Sequence, residues 1–171
     1  MGEYKRSPHD SSIRVPFIIS GPGYDHAQTV DEIITLMDLT PTLLDAAGIQ
    51  TPSSMRGRSL RPLMHDAEAR AKWDSSAYIQ ISESMCGRSL RTKEWSYSIY
   101  DPAAKGNTQS HSTRYEEFAL YSVKGDSAQH TNLIGRPAYS KVCEMLRAEL
   151  QGRIVAAGEP AATIEPARFF A

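Results

Sequence analysis

The run at residues 13–20, IRVPFIIS, most limits what this chain can fold into. It is β-branched and aromatic, and it stops at Gly21, Pro22 and Gly23. A continuous apolar run closed by breakers predicts a buried strand, in a sheet covered on both faces. Pro16 has no N–H for a ladder bond, so the regular strand is expected to begin at or just after it. A helix is expected further on. Thr40 suits its cap, Pro41 its first position and Gly48 the left-handed residue beyond its end. Leu43, Leu44, Ala46 and Ala47 supply its apolar face. Residues 30–39, VDEIITLMDL, fit a strand, a helix or a short turn of each.

Downstream the period changes. Residues 65–76, HDAEARAKWDSS, are charged and small, and read as an exposed helical connector. YIQISES then alternates apolar and polar as a half-buried strand does. GRSLRT follows, and KEWSYSIY puts Trp95, Tyr97 and Ile99 on one face; the aromatics Trp95, Tyr97 and Tyr100 read as core rather than as a ligand platform. DPAAKGNTQSHSTR has the content of a surface loop, and EEFALYSV reads as a further strand. Across residues 138–157, Val142, Leu146, Leu150 and Ile154 recur at helical spacing, with Gly158 and Pro160 as the stop. The tail ATIEPARFFA is expected to be extended and partly free. The expected organisation is an α/β portion over 1–64, a connector over 65–76, and an α+β subdomain over 77–171 whose antiparallel sheet is packed by the C-terminal helix.

Composition removes several function classes. With 19 basic and 20 acidic residues the net charge is −1, so no global field favours nucleic acid or an anionic membrane. No apolar run approaches the ~20 residues that a membrane span needs. The start, MGEYKRSPHD, has no apolar signal core, and the compartment stays open. Cys86 and Cys143 match no metal-ligand spacing and read as unrelated buried or free thiols. His26, His65, His111 and His130 are scattered and form no ligand set.

Four motifs in order carry more. GEYKRSPHDSSIRVPFIISGPG, LMDLTPTLLDAAGI, RGRSLRPLM and LYSVKGDSAQHTNL together resemble the C-terminal portion of a type I, formylglycine-dependent sulfatase of the alkaline phosphatase superfamily. The last motif departs from the family pattern at Ser127 and Gln129, where Pro and Glu are usual. The resemblance covers nearly the whole chain and implies an α/β catalytic remnant followed by the α+β subdomain.

The resemblance also implies chemistry: a parent enzyme that hydrolyses sulfate esters of a small molecule or glycan. A hydrated formylglycine attacks sulfur, calcium polarises the sulfate, and lysines and histidines offset charge and protonate the leaving alcohol. Its Cys/Ser-x-Pro-x-Arg signature and metal aspartates do not occur in these 171 residues, so the chain alone is expected to be inactive. Lys5, nine residues before Arg14, matches the family's sulfate-facing lysine. His9 is a weaker substrate candidate, and Glu83 and Arg88, at a strand end in SESMCGR, are candidates to touch a sugar or aryl group. Two other readings stand beside this one. The first is a phosphonate or phosphate monoester hydrolase of the same superfamily. The second is a non-catalytic module that binds or stabilises a partner. Self-association is expected if the apolar run and the Leu43/Leu44 face lack their usual cover.

Overall fold

The computed structural model describes residues 6–24 and 27–168. Two compact units divide the chain: Val15–Ala77 is one, and the described parts of Met1–Arg14 and Tyr78–Ala171 form the other. The N-terminal stretch therefore belongs with the C-terminal sheet, not with the α/β portion that follows it in sequence.

In the unit Val15–Ala77, a 3-10 turn, Leu36–Asp38, runs directly into helix α2, Leu39–Ala46. The helical stretch starts earlier than the Thr40–Pro41 pair implied. Asp38 explains this: its carboxylate accepts from the Thr35 N–H at 2.8 Å, tying off the first turn. The end is as expected. Gly48 takes φ 71, its N–H donates to Asp45 O at 3.0 Å, and the Ile49 N–H donates to Leu44 O at 2.8 Å, the paired bonds of a left-handed helix stop.

The same acidic turn holds the loop of the RGRSLRPLM motif. Asp38 accepts the Arg58 N–H at 2.8 Å, and Thr42 Oγ1 accepts the Leu60 N–H at 2.9 Å. Gly57 is needed there, since a Cβ would stand 2.0 Å from Met37 O. Two short helices follow, α3 (Arg61–His65) and α4 (Ala67–Ala71), the second capped by Asp66, whose carboxylate accepts the Glu68 and Ala69 N–H groups. Residues 67–71 of the expected connector are thus helical, and the segment falls inside the unit Val15–Ala77.

The run at residues 13–20 departs from expectation. A four-residue helix, α1 (Asp10–Ile13), precedes it, and residues 14–20 form no strand. Ile18 is 93% exposed and Val15 54%. Apolar composition says that such a run prefers burial, but a strand also needs a neighbouring edge. Among the described residues none pairs with it.

The second unit is built on a five-stranded sheet in the order β1 (Ser76–Ile81), β2 (Cys86–Thr92), β3 (Trp95–Asp101), β4 (Arg114–Ser122), β5 (Thr163–Glu165). β2–β3 and β3–β4 are antiparallel, and β5 adds parallel to β4. The sheet is therefore mixed, and residues 163–165 of the tail are extended, as expected, but paired as a strand. Helix α5, Ser140–Ala156, buries Cys143, Leu146, Leu150 and Ile154. These pack with Leu90, Tyr97, Ile99, Tyr115 and Leu120 of the sheet. The expected stripe was one position out at its start, where Cys143 takes the buried place given to Val142. No described helix is long and apolar enough to cross a membrane.

The end of α5 sets the deepest polar contact. Gly158, at φ 83, turns the chain so that Glu159 points back to the sheet. Its carboxylate accepts from Tyr78 Oη at 2.6 Å and Gln80 Nε2 at 2.5 Å, and from Arg88 at 2.6 and 3.0 Å. Arg88 is 1% exposed. Burial alone would raise the Glu159 pKa; the hydrogen bonds from Arg88, Tyr78 and Gln80 outweigh it and hold it below the usual glutamate value. A depressed folded-state pKa gives stability that is present above the unfolded value, about 4.3, and is lost as pH falls through the folded value. Glu159→Ala is expected to cost roughly 3 kcal/mol near neutral pH, because it strands a buried guanidinium. Urea melts from pH 7 to 3 check both points: wild type should lose stability below about pH 4.3, and the variant should lose less over that range.

Candidate functional site

The segment Arg6–Ile13 has little reason of its own to keep a fixed shape. α1 spans four residues, and isolated helices far longer than that are marginal in water. Its form comes from the sheet. Asp10 meets Arg91 of β2 through two charge-assisted bonds of 2.7 Å, from Nε and from Nη2. Their side chains are 12% and 14% exposed, so water screens the pair weakly. The Asp10 N–H, an unsatisfied donor at a helix start, reaches Gln129 Oε1 at 2.6 Å. His9 sits between Ser7 Oγ and Tyr121 Oη, each 3.2 Å from a ring nitrogen. Burial, then the charge of Asp126, raises the Tyr121 pKa. Arg6 is held at both ends: its carbonyl accepts from Ser84 Oγ at 2.5 Å, and its guanidinium lies 3.0 Å from Glu83.

Between this segment and the end of β1 lies a cleft of about 270 Å³. Arg6, Ser7 and Ser12 face Gln80, Ser82 and Glu83 across it, with isoleucines between. The side chains of Arg6 and Glu83 are 47% and 62% exposed. An ion pair so exposed contributes ~0–1 kcal/mol, and its groups exchange readily onto a ligand. Hydroxyls, a guanidinium and a carboxylate around a small apolar patch match a hydroxylated, polar molecule.

The sequence-derived candidates divide accordingly. His9 and Glu83 lie on this segment and at the cleft. Lys5 lies outside the described residues, as does His26. Arg88 stands elsewhere: its donors go to Glu159, Gly87 O and Ser110 O inside the fold. Its role is structural, because an arginine with 1% exposure and every contact internal has nothing to offer a substrate. Asp10, Arg91 and Tyr121 went unnoticed in sequence although each lay within a quoted segment, and Gln129 was noted only as a departure from the family pattern. Among the described residues no group of three or more His, Cys, Asp or Glu can hold a metal ion. His65 instead contacts Gly23 O at 3.1 Å.

The thiols are inert by placement. Cys86 and Cys143 are free and buried. Burial raises the Cys86 pKa and pushes that of Cys143 up to about 11, with the charge of Glu117 adding to the second.

Comparison with known proteins gives the arrangement its kin. Residues 3–156 match the family described as N-sulphoglucosamine sulphohydrolase, C-terminal. A Δ4,5-hexuronate-2-O-sulfatase from Bacteroides thetaiotaomicron is 31% identical over 156 residues, 85% of this chain and 29% of that protein. Arylsulfatase K of Bos taurus is 30% identical over 141 residues, 78% of this chain and 24% of that protein. Among solved structures, a candidate sulfatase from Bacteroides thetaiotaomicron superposes with TM-score 0.65 at 29% identity, covering 88% of this chain and 32% of that one. A 2-O GAG sulfatase superposes with TM-score 0.58 at 28% identity, over 81% of this chain and 29% of that one. The chain spans less than a third of each of these proteins.

Neither thiol should react with a water-soluble disulfide reagent in the native protein, and both should react once it is unfolded. Mass spectrometry of the labelled protein reads the difference. Fast native labelling of Cys86 would contradict its placement.

Proposed function

The chain belongs to the sulfatases, within the family of N-sulphoglucosamine sulphohydrolase C-terminal domains, and on that premise we propose that it forms the C-terminal part of an enzyme cleaving sulfate esters on a sulfated glycan. The match over residues 3–156 carries the reading. The glycan class follows from the relatives: one is a hexuronate-2-O-sulfatase and one a 2-O GAG sulfatase.

In this reading the formylglycine and the calcium ligands come from outside these 171 residues. No residue of this chain is assigned to the metal, since its described acids and imidazoles form no ligand set. When bound, calcium would supply charge to polarise the sulfate. This chain supplies the rest. Lys5 pairs with a sulfate oxygen and has a proton for the leaving alkoxide, which a compact ammonium does well. Arg6, Ser82 and Glu83 face the sugar ring from the cleft. His9 keeps the segment in place through Ser7 and Tyr121. The unit Val15–Ala77 exposes Val15, Ile18, Leu36, Met37, Leu43 and Ile49, apolar side chains that the remainder of an α/β domain would cover.

Two experiments test this. The 171-residue chain alone should show no turnover of 4-nitrophenyl sulfate or of a 2-O-sulfated disaccharide, and fusion to a formylglycine-bearing segment of a relative should restore it. There, Lys5→Ala should lower the rate at least roughly tenfold, about 1.4 kcal/mol of barrier, with the melting temperature nearly unmoved. Turnover by the lone chain, or preference for a phosphate ester after fusion, would contradict the proposal. Separately, the lone chain should self-associate and bind an apolar dye. Sedimentation showing a dye-negative monomer would remove the uncovered-face argument.

A further inference from the structure

Glu117 and Glu159 are each met by several donors inside the fold. Glu83 is placed differently. It sits on the turn between β1 and β2, lines the cleft, and has a side chain 62% exposed. Its partner among the described residues is the Arg6 guanidinium, at 3.0 Å. An ionised carboxylate has two oxygens and about four lone-pair sites. Most of that accepting capacity is left for donors that enter the cleft.

The turn that carries Glu83 is held from two sides. Ser84 Oγ donates to Arg6 O at 2.5 Å, and a Cβ on Gly106 would stand 2.7 Å from the Met85 backbone. The carboxylate therefore moves only by its own torsions and stays at the cleft. Ile13, Ile79 and Ile81 give the same cleft apolar surface, and Ser12 and Ser82 give it hydroxyls. A pyranose ring has the matching surfaces, a C–H face and a rim of O–H donors. At about 270 Å³ the cleft lies at the small end of ligand pockets, which run from roughly 300 to 1,000 Å³, and so takes one ring rather than a chain. Two adjacent hydroxyls of such a ring can each donate to one oxygen of the carboxylate.

Charge decides which ring is accepted. Arg6 and Glu83 offset each other, so the pair exerts little net pull on an anion. A sulfate in place of one of the two hydroxyls removes a donor and sets a second negative charge beside the carboxylate. Discrimination of this kind comes from the repulsion as much as from the lost bond. Resting on the glycan reading given above, we propose that Glu83 is a specificity-determining residue. It accepts hydrogen bonds from two adjacent hydroxyls of the sugar in this cleft and rejects that sugar when either hydroxyl is sulfated. The substrate class is a glycan whose ring at this cleft keeps an unsulfated diol, with the sulfate to be cleaved outside that pair.

The test reads binding apart from turnover. Methyl glucopyranoside and its 2-, 3- and 4-monosulfates are titrated against the 171-residue chain, with dissociation constants taken from saturation-transfer NMR. Wild type is compared with Glu83→Gln, which keeps the shape and loses the charge, and with Arg6→Gln, which leaves the carboxylate without its offsetting cation. Melting temperatures are measured alongside and should barely move, since an ion pair this exposed contributes little to stability.

A diol contact has a definite signature, because the hydroxyl at position 3 belongs to either possible pair. In wild type the 3-sulfate and one of its two neighbours should bind at least roughly tenfold more weakly than the unsulfated glycoside, and the remaining monosulfate within about threefold of it. Glu83→Gln should weaken the unsulfated glycoside and bring all four ligands within about threefold of one another, and Arg6→Gln should widen the wild-type ratios. Equal binding of all four ligands by wild type, undetectable binding of the unsulfated glycoside, or wild-type ratios retained in Glu83→Gln would each overturn the proposal. Loss by one common factor in Glu83→Gln would do the same, since it marks a residue that only shapes the rim. Turnover of the 2-O-sulfated disaccharide after fusion to a formylglycine-bearing segment is read separately. Turnover without discrimination in binding would sink this inference alone. Discrimination without turnover would remove the sulfate-ester reading and leave the selection of hydroxyls by Glu83 standing.

Discussion

Glu159 reaches Arg88 through a turn that only a left-handed residue can make, and much of the sheet unit depends on that meeting. Gly158 ends α5, the Glu159 N–H closes on Ile154 O at 3.2 Å, and the side chain then enters the sheet. One carboxylate thereby joins the helix end to β1, through Tyr78 and Gln80, and to β2, through Arg88. Arg88 extends the connection to the loop between β3 and β4 through Ser110 O at 2.6 Å. Gly106 of that loop lies so close to Met85 that a Cβ would stand 2.7 Å from its backbone. A buried ion pair is weak evidence of net stability, but removing one partner is costly. Its contribution here is to set where four elements end.

Glu117 performs a related task at Arg147 of α5. It accepts from Tyr97 Oη at 3.0 Å, from Arg147 at 2.6 Å and from the Ala167 N–H at 2.8 Å. The Ala167 bond ties down the chain just after β5 and so helps to keep that short strand in the sheet. Asp38 organises the other unit in the same manner. In each case a carboxylate in poor contact with water is surrounded by donors, which makes the network specific because any misplacement leaves a donor or acceptor unmet.

Legibility followed range. β3, β4 and α5 were readable because alternation and helical spacing are local, and Tyr97, Ile99, Leu146, Leu150 and Ile154 are all in the core as expected. The stop at Gly48 was readable for the same reason. β5 was not, since three residues carry no period and its parallel partner lies some fifty positions upstream. The apolar run at 13–20 announced a wish for burial but not the partner that would provide it. Arg88 was misassigned because an arginine near a strand end looks the same whether it faces a ligand or a glutamate 71 residues away. Asp10, Arg91 and Gln129 were invisible as a set. Their separations are 81 and 119 residues, and no local pattern marks such a pairing.

The division of the chain also bears on the order in which it matures. The unit Val15–Ala77 interrupts the other one, so Arg6–Ile13 leaves the ribosome long before the residues that give it shape. Asp10 must wait for Arg91, and its N–H for Gln129, while the intervening unit can already condense. Contacts that close such long loops form slowly and late. α5 and β5, later still, complete the sheet that carries Arg91 and Tyr121. The rim of the cleft, synthesised ahead of the interior unit, is therefore built after it, and a nascent chain stalled before Gln129 would hold a folded interior unit with its proposed chemical edge still undefined.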